Sequence, residues 1–204
     1  MTNFEIQEGE DGIGSVLILK GIWAGDVLSY MRTNNINAIR LSDSVGFAGG
    51  DLSFLSELTF LRSIEIYCWD ACGLSVVSQL TELEVVGLQC KSAQSIDFSR
   101  VPKLRVAKVT WSKGLHSLLR APSLEKLNIQ NYPHEDLHPI SSMTGLKRLY
   151  ITSRKLKSLS GIERFPELEL LDLYNCPFLE SLQLVELCPK LKSLEVEACK
   201  RVRA

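Results

Sequence analysis

Residues 146–151 read Leu-Lys-Arg-Leu-Tyr-Ile, and residues 168–173 read Leu-Glu-Leu-Leu-Asp-Leu. Both stretches fit the pattern Leu-x-x-Leu-x-Leu, in which isoleucine, valine or alanine can replace leucine. Eight copies follow one another at spacings of 20 to 25 residues. A motif repeated at so narrow a period predicts a solenoid with one structural unit per copy. The apolar positions are Ile36/Ile39/Leu41, Leu61/Ile64/Ile66, Leu83/Val86/Leu88, Leu104/Ala107/Val109, Leu124/Leu127/Ile129, Leu146/Leu149/Ile151, Leu168/Leu171/Leu173 and Leu191/Leu194/Val196.

The spacing within each copy is that of a short β-strand. Leu149 and Ile151 point to the same side, because the side chains of a strand alternate between its two faces. Leu146 precedes the strand and turns inward as well. One strand cannot bury this row alone, so the strands of successive copies are expected to stack in a parallel sheet. The predicted strand centres are Ile39, Ile64, Val86, Ala107, Leu127, Leu149, Leu171 and Leu194.

The segment after the sixth copy has a different period. Leu156, Leu159, Ile162 and Phe165 follow at every third residue, which favours extended or 3-10 structure over an α-helix. With its 22-residue spacing, this part of the chain resembles the internalin-like bacterial class of leucine-rich-repeat proteins, and the repeat resemblance covers residues 36–199. It implies an α/β solenoid, a right-handed superhelix with one curved parallel β-sheet on its concave side and a convex side of mostly loop and 3-10 structure.

The chain before the first copy has another composition. Residues 1–35 are predicted to form an N-terminal cap, a hairpin followed by a short helix, because two alternating stretches flank a glycine-rich loop. Ile13, Val16 and Ile18 match the repeat as a degenerate earlier copy. Residues 36–204 are predicted to form eight leucine-rich repeats, and the whole chain one continuous domain.

The turn after each strand departs from the family pattern. The resemblance implies asparagine or cysteine three residues after the last inward strand position. Only Cys176 and Cys199 match; the other copies have Ser44, Trp69, Lys91, Ser112, Tyr132 and Arg154 there. We therefore expect irregular turns in the middle repeats.

Composition and charge restrict the range of functions. The 204 residues are 45% apolar and include 23 basic and 24 acidic side chains, for a net charge of -1. This balance predicts no nucleic-acid partner, because no global positive field would attract one. The N-terminus lacks a signal-peptide pattern and no apolar run could cross a bilayer, so no membrane partner and a cytoplasmic location are expected, with the six cysteines reduced.

One motif points to metal chemistry. His134-Glu135-Asp136-Leu137-His138 matches the zinc-hydrolase pattern H-E-x-x-H, in which two histidines one helical turn apart bind zinc and the glutamate is the base. Pro133 and Pro139 flank it, and proline disfavours helical geometry at the residue before it. The prediction is therefore no metal, no cofactor and no enzyme, with a zinc hydrolase as the remote alternative.

A basic cluster allows two interpretations. Lys147, Arg148, Arg154, Lys155 and Lys157 lie close together in sequence. A solvated repeat edge is favoured over a patch that binds phosphate or an acidic partner, because the cluster is short and interrupted.

The strand positions between the inward residues are predicted to face the concave side. They bring together aromatic and charged side chains, the types that most often dominate binding energy. Exposed tyrosines are also good strand formers, so this pattern alone leaves the structural alternative open. The predicted partner-binding residues are Tyr67, Lys108, Trp111, Asn128, Arg148, Tyr150, Asp172 and Tyr174.

The predicted function is a non-catalytic interaction module that binds a protein or peptide through the concave face. The chain is similar to small stand-alone bacterial leucine-rich-repeat proteins, a resemblance that implies an adaptor or an immunity-type inhibitor. A regulatory subunit of an enzyme such as a phosphatase is the alternative. Because such scaffolds bind many unrelated molecules, the fold does not identify the partner.

Overall fold

The computed structural model describes residues 3–91 and 94–202. These residues form one α-helix, α1 (Gly25–Thr33), and ten β-strands. The strands are β1 (Phe4–Glu8), β2 (Ser15–Leu19), β3 (Ala38–Ser42), β4 (Ser63–Tyr67), β5 (Val85–Leu88), β6 (Val106–Thr110), β7 (Lys126–Gln130), β8 (Arg148–Thr152), β9 (Leu170–Tyr174) and β10 (Ser193–Glu197). Short 3-10 segments lie at Asp43–Val45, Ser53–Glu57, Leu74–Gln79, Phe98–Arg100, Lys113–Arg120, His138–Ile140, Ile162–Arg164 and Gln183–Leu187.

The strands belong to one sheet in which they follow chain order. All eight predicted strand centres lie within β3 to β10, and the leucine-rich-repeat solenoid is confirmed. The chain divides into two compact units, an N-terminal unit of Met1–Leu104 with Ser112–Ser117 and a C-terminal unit of Arg105–Trp111 with Leu118–Ala204.

The N-terminal unit begins with an antiparallel hairpin of β1 and β2, followed by α1, which buries Val27 and Met31. Strand β2 also pairs with β3 in parallel, so it joins the same stack as the repeats. The division into a cap of residues 1–35 and repeats of residues 36–204 remains a prediction, and the outermost residues of both ranges lie outside the described chain.

The register of β2 corrects the predicted early copy. Leu17 pairs with Ile39 and Leu19 with Leu41, so these two leucines, and not Val16 and Ile18, continue the inward column. The sequence pattern failed here because all four residues from Val16 to Leu19 are buried. A strand that is covered on both faces has no polar alternation to mark its register.

The core of the C-terminal unit is built from matching inward positions. Leu127, Leu149 and Leu171 lie opposite one another on β7, β8 and β9, and each is fully buried. Burial of one leucine side chain contributes about 1.5–3 kcal/mol. The last strand differs, since Leu194 in the same column is 39% exposed.

The return segments also confirm the predicted period of three. Leu156, Leu159, Ile162 and Phe165 are all buried, and the 3-10 segment Ile162–Arg164 lies among them. The chain in this segment therefore repeats every three residues, and every third side chain packs into the core.

The turns after the strands have two geometries. This corrects the prediction that the turn residue always lies three positions after the last inward strand residue. After β7, β9 and β10, a residue with positive φ (Asn131, Asn175 or Ala198) is inserted, and Tyr132, Cys176 or Cys199 follows as expected. After β8 no such residue is present, and Ser153 is fully buried one position earlier than predicted, while Arg154 is exposed. Cys68 and Cys90 occupy the same earlier position after β4 and β5, so Trp69 and Lys91 are exposed.

Candidate functional site

The sheet of the C-terminal unit presents one row of side chains away from its core, here called the open face. Strand register places five of its residues side by side on consecutive strands: Lys108, Asn128, Tyr150, Asp172 and Glu195. All except the exposed Glu195 are half-buried. Adjacent strands are about 4.8 Å apart, so each of these side chains lies within reach of its neighbours.

Two of the predicted residues lie directly opposite each other. Tyr150 on β8 pairs in register with Asp172 on β9. Tyr174, which is 49% exposed, ends β9 opposite Thr152, and the exposed Arg148 begins β8 opposite Leu170. The structure therefore places Arg148, Tyr150, Asp172 and Tyr174 on two neighbouring strands, while their role in binding remains a prediction.

The open face becomes acidic toward β10. The pKa of Asp172 is raised because the carboxyl group is partly buried and because the Glu195 and Glu197 carboxylates lie nearby. Glu195 pairs in register with Asp172, and Glu197 with Tyr174. The repeat spacing alone could have predicted this acidic group, because the common register of the repeats aligns the three carboxylates.

Trp111 follows β6 and belongs to an aromatic group. Its backbone N–H donates to the carbonyl of Gln130 at 2.8 Å, and its ring centroid lies 6.5 Å from that of His134. His134 also contacts Tyr132, with ring centroids 5.5 Å apart. Tyr132 is almost fully buried and its hydroxyl donates to the carbonyl of Asp136 at 2.8 Å. Trp111 is thus half-buried and braced from one side, which suits a rigid contact residue.

Tyr67 lies in the N-terminal unit, on β4 and opposite Ser42. Its hydroxyl lies across Gly87 on β5, where an added Cβ atom would be 2.8 Å from the phenol oxygen. Beside it, the guanidinium of Arg40 donates to the Glu65 carboxylate. These residues belong to the N-terminal unit, whereas the open face and the cluster around Tyr150 belong to the C-terminal unit.

The H-E-x-x-H segment does not have the geometry of a zinc helix. Residues 134–137 form bends and His138–Ile140 a short 3-10 segment, so the two histidines are not on successive turns of an α-helix. His138 is exposed and its backbone N–H donates to the Asp136 carboxylate at 3.1 Å. Among residues 3–91 and 94–202, no group of three or more His, Cys, Asp or Glu side chains could hold a metal ion.

The six cysteines are free thiols in the structure. Burial is the main cause that raises the pKa of Cys68 to about 12, with a further contribution from Asp43. Burial, with the nearby Cys199 thiol, likewise raises the pKa of Cys176 to about 12. Both thiols are protonated at neutral pH and are therefore weak nucleophiles.

Comparison with solved structures supports the fold. An internalin C2 from Listeria monocytogenes matches with a TM-score of 0.65 and 19% identity, over 89% of this chain and 80% of the other. The fold is internalin-like. An internalin F from the same organism matches with a TM-score of 0.50 and 18% identity, over 89% of this chain and 66% of the other. No family model and no curated protein matches the sequence.

Similarity at this level of identity shows the internalin-like fold alone. Leucine-rich-repeat scaffolds of this kind are commonly protein-interaction modules. The matches assign no role to individual residues of this chain. Over the described part of the chain, none of the helices has the length and apolar character needed to cross a membrane.

Proposed function

We propose that this protein is a non-catalytic interaction module that binds a protein or peptide through the open face of its C-terminal unit. The observation that carries the proposal is the cluster of Arg148, Tyr150, Asp172 and Tyr174 on β8 and β9. Tyrosine and arginine are enriched among the residues that contribute most to binding energy. Lys108 on β6 and Asn128 on β7 extend the same row, and Trp111 directly follows β6.

The size of the face favours a modest ligand. Four spacings of about 4.8 Å between the five strands, and the length of about 13 Å of a five-residue strand, give about 250 Å² of projected area. A stable interface usually buries about 800 Å² on each partner. A loop or extended segment of the partner fits this face, and a larger partner would also contact the loops at the strand ends.

The charges of the face indicate the chemistry of that segment. Asp172, Glu195 and Glu197 would attract a basic side chain, and the Arg148 guanidinium would attract a carboxylate. Tyr150 lies between these opposite charges. A partner segment with one basic and one acidic residue around an apolar one would match this pattern, since complementary charges give register and specificity.

Two finer roles are proposed for this module. The first is an adaptor or an immunity-type inhibitor and the second a regulatory subunit of an enzyme such as a phosphatase, both acting in the cytoplasm without a cofactor. The buried, protonated thiols and the non-helical histidine segment offer no catalytic group in favour of an enzyme. The identity of the captured partner distinguishes these roles.

The experiment is a capture from lysate of the native host, with wild-type protein and a Tyr150→Ala, Tyr174→Ala double variant side by side. We expect one partner that the wild type retains and the double variant loses, while circular dichroism shows both proteins folded. Ser142→Lys is the control, because Ser142 is exposed on a return segment. A partner retained equally by all three proteins would contradict the proposed face.

A further inference from the structure

The loops that follow β7, β8 and β9 line a cavity that is open to solvent and lies outside the open face. Its volume is about 350 Å³, and its lining comes from three successive repeats. Pro133 and Glu135 follow β7, Phe178 follows β9, and the loop after β8 contributes the three cations Arg154, Lys155 and Lys157.

The backbone holds these loops in place. The N–H groups of Lys157 and Ser158 donate to the Glu135 carbonyl at 2.8 and 3.1 Å, and the N–H of Glu180 donates to the Lys157 carbonyl at 3.4 Å. The flanking side chains of Leu156 and Leu179 are buried in the core. The cavity is therefore formed before any ligand arrives, which lowers the entropic cost of binding.

The charges of the lining do not cancel. Lys157 pairs with the Glu135 carboxylate at 2.7 Å, which neutralises both. Arg154 and Lys155 are exposed, and neither side chain has an ion-pair partner within residues 3–91 and 94–202. Two positive charges thus remain in a protein whose net charge is -1.

An aromatic side chain lies beside these cations. Phe178 is 40% exposed, and the Arg201 guanidinium lies 5.0 Å from its ring centroid. Arg201 and Lys200 line a second cavity of about 660 Å³ with Glu180 and Val202. The loop side of the last repeats therefore combines an exposed ring with an excess of positive charge, whereas the open face of β9 and β10 is acidic.

We propose that the cavity binds an acidic segment of a protein partner. The apolar surface of Phe178 and Pro133 would hold an aromatic or aliphatic side chain of that segment, and its flanking carboxylates would pair with Arg154 and Lys155. Recognition of acidic motifs by clustered basic side chains is a recurrent binding mode. This site takes up three of the five residues of the basic cluster, Arg154, Lys155 and Lys157, for which the sequence favours a solvated edge. Lys147 pairs with Glu125 instead, and Arg148 begins β8.

Carboxylates fit the charge of this lining. Lys157 neutralises the Glu135 carboxylate, so Arg154 and Lys155 supply two positive charges that two singly charged carboxylates would match. Nucleic acid is a poorer match, because the cations are confined to the last repeats and the open face carries Asp172, Glu195 and Glu197.

The test is fluorescence anisotropy with a rhodamine-labelled peptide of sequence Glu-Glu-Phe-Glu-Glu, in buffer of about 50 mM salt where screening of exposed charges is weak. We expect Arg154→Glu with Lys155→Glu to weaken binding by about tenfold or more. Phe178→Ala should weaken it by about threefold or more, because the ring supplies the apolar contact.

A matched control separates a specific site from net charge. Lys113→Glu with Arg120→Glu changes the charge of the chain by the same amount at two exposed positions elsewhere. This control should leave the dissociation constant unchanged within about twofold, because distant exposed charges are screened. Tyr150→Ala with Tyr174→Ala should also leave the dissociation constant of the peptide unchanged. Failure of the open-face proposal can then be distinguished from failure of the cavity proposal.

Several outcomes would overturn the proposal. One is the absence of any anisotropy change of the labelled peptide up to about 1 mM protein, which corresponds to the weakest affinity of interest. Another is an equal loss of binding in the matched control, which would show attraction by net charge alone. Tighter binding of a phosphotyrosine peptide or of a short single-stranded oligonucleotide would assign the cavity to a different ligand.

Discussion

The hydroxyl of Ser153 donates a hydrogen bond to the backbone carbonyl of Tyr132 in the preceding repeat, at 2.8 Å. The same oxygen accepts hydrogen bonds from the backbone N–H groups of Lys155 and Leu156, each at 3.0 Å. Ser153 is fully buried. One side chain thus satisfies three backbone groups, and it fixes the turn from which Arg154 and Lys155 project.

We expect Ser153→Ala to lower the free energy of unfolding by about 1–3 kcal/mol, because a buried N–H group, a part-buried N–H group and a buried carbonyl lose their partner. Ser153→Cys should lose less stability than Ser153→Ala. Cys176 fills a comparable position in the next repeat, and its thiol donates to the carbonyl of Ile151. Urea titration of both variants measures the difference. Ser142→Ala, at an exposed position, is the control, and equal stability of all three variants would contradict the assigned hydrogen bonds.

The position of Ser153 shows what the repeat pattern could and could not predict. Strand positions follow from apolar spacing, because a shift of one residue would expose the core row. The turn has no such constraint, since it can contain or omit one residue of positive φ, such as Asn131 or Asn175. A fixed offset from the strand therefore identified Cys176 correctly and placed Arg154 where Ser153 belongs.

Leu149 and Leu194 occupy the same column of the core but differ in burial, at 0% and 39% exposure. Leu149→Ala should lower the free energy of unfolding by about 2–5 kcal/mol, because it leaves a cavity between packed strands. Leu194→Ala should cost clearly less, since its side chain is already partly hydrated. Denaturant titration of the pair measures this contrast, and a Leu149→Ala cost below about 0.5 kcal/mol would mean that the register is wrong.

The raised pKa of Asp172 predicts a pH-dependent stability. Its charged form is disfavoured in the folded state, so this carboxyl destabilises the fold above its folded-state pKa and has no such effect below the ordinary value of 3.8. Asp172→Asn should therefore be more stable than the wild type at neutral pH, and the two should converge as the pH falls below that value. Thermal unfolding from pH 3 to 7, roughly the range of carboxyl titration, follows this difference.

Glu195 and Glu197 provide the control for that prediction. In a Glu195→Gln, Glu197→Gln background, the gain from Asp172→Asn at neutral pH should shrink, because part of the repulsion is already removed. Such a double-mutant comparison isolates the interaction between neighbouring groups. A gain that is unchanged in this background would assign the effect to burial alone.

The histidine segment gives a prediction about metal. Purified protein should contain no stoichiometric zinc by elemental analysis. His138→Ala should change stability by less than about 0.5 kcal/mol, as is usual for exposed positions, whereas His134→Ala should cost about 0.5–1.5 kcal/mol through its ring contacts with Tyr132 and Trp111. One tightly held zinc per chain that either variant loses would restore the hydrolase alternative.

The candidate site was only partly accessible from sequence. The juxtaposition of Tyr150 and Asp172 follows from the 22-residue spacing, since residues one period apart lie side by side in a parallel stack. The loop cavity does not follow from any such period. Phe178, Arg154 and Pro133 come from three loops of different geometry, and only the folded backbone brings them together.

The central claim, that the open face binds the partner, is tested most directly by titrating the captured partner into wild-type protein and variants. Truncation of an interface anchor typically lowers the binding free energy by about 2 kcal/mol or more. Tyr150→Ala with Tyr174→Ala should therefore raise the dissociation constant by about thirtyfold or more. The return-segment variant Ser142→Lys should bind within about twofold of the wild type, as expected for a site outside the interface. A double variant that binds as tightly as the wild type, together with a weakened Ser142→Lys, would contradict the account and place the binding site on the return side.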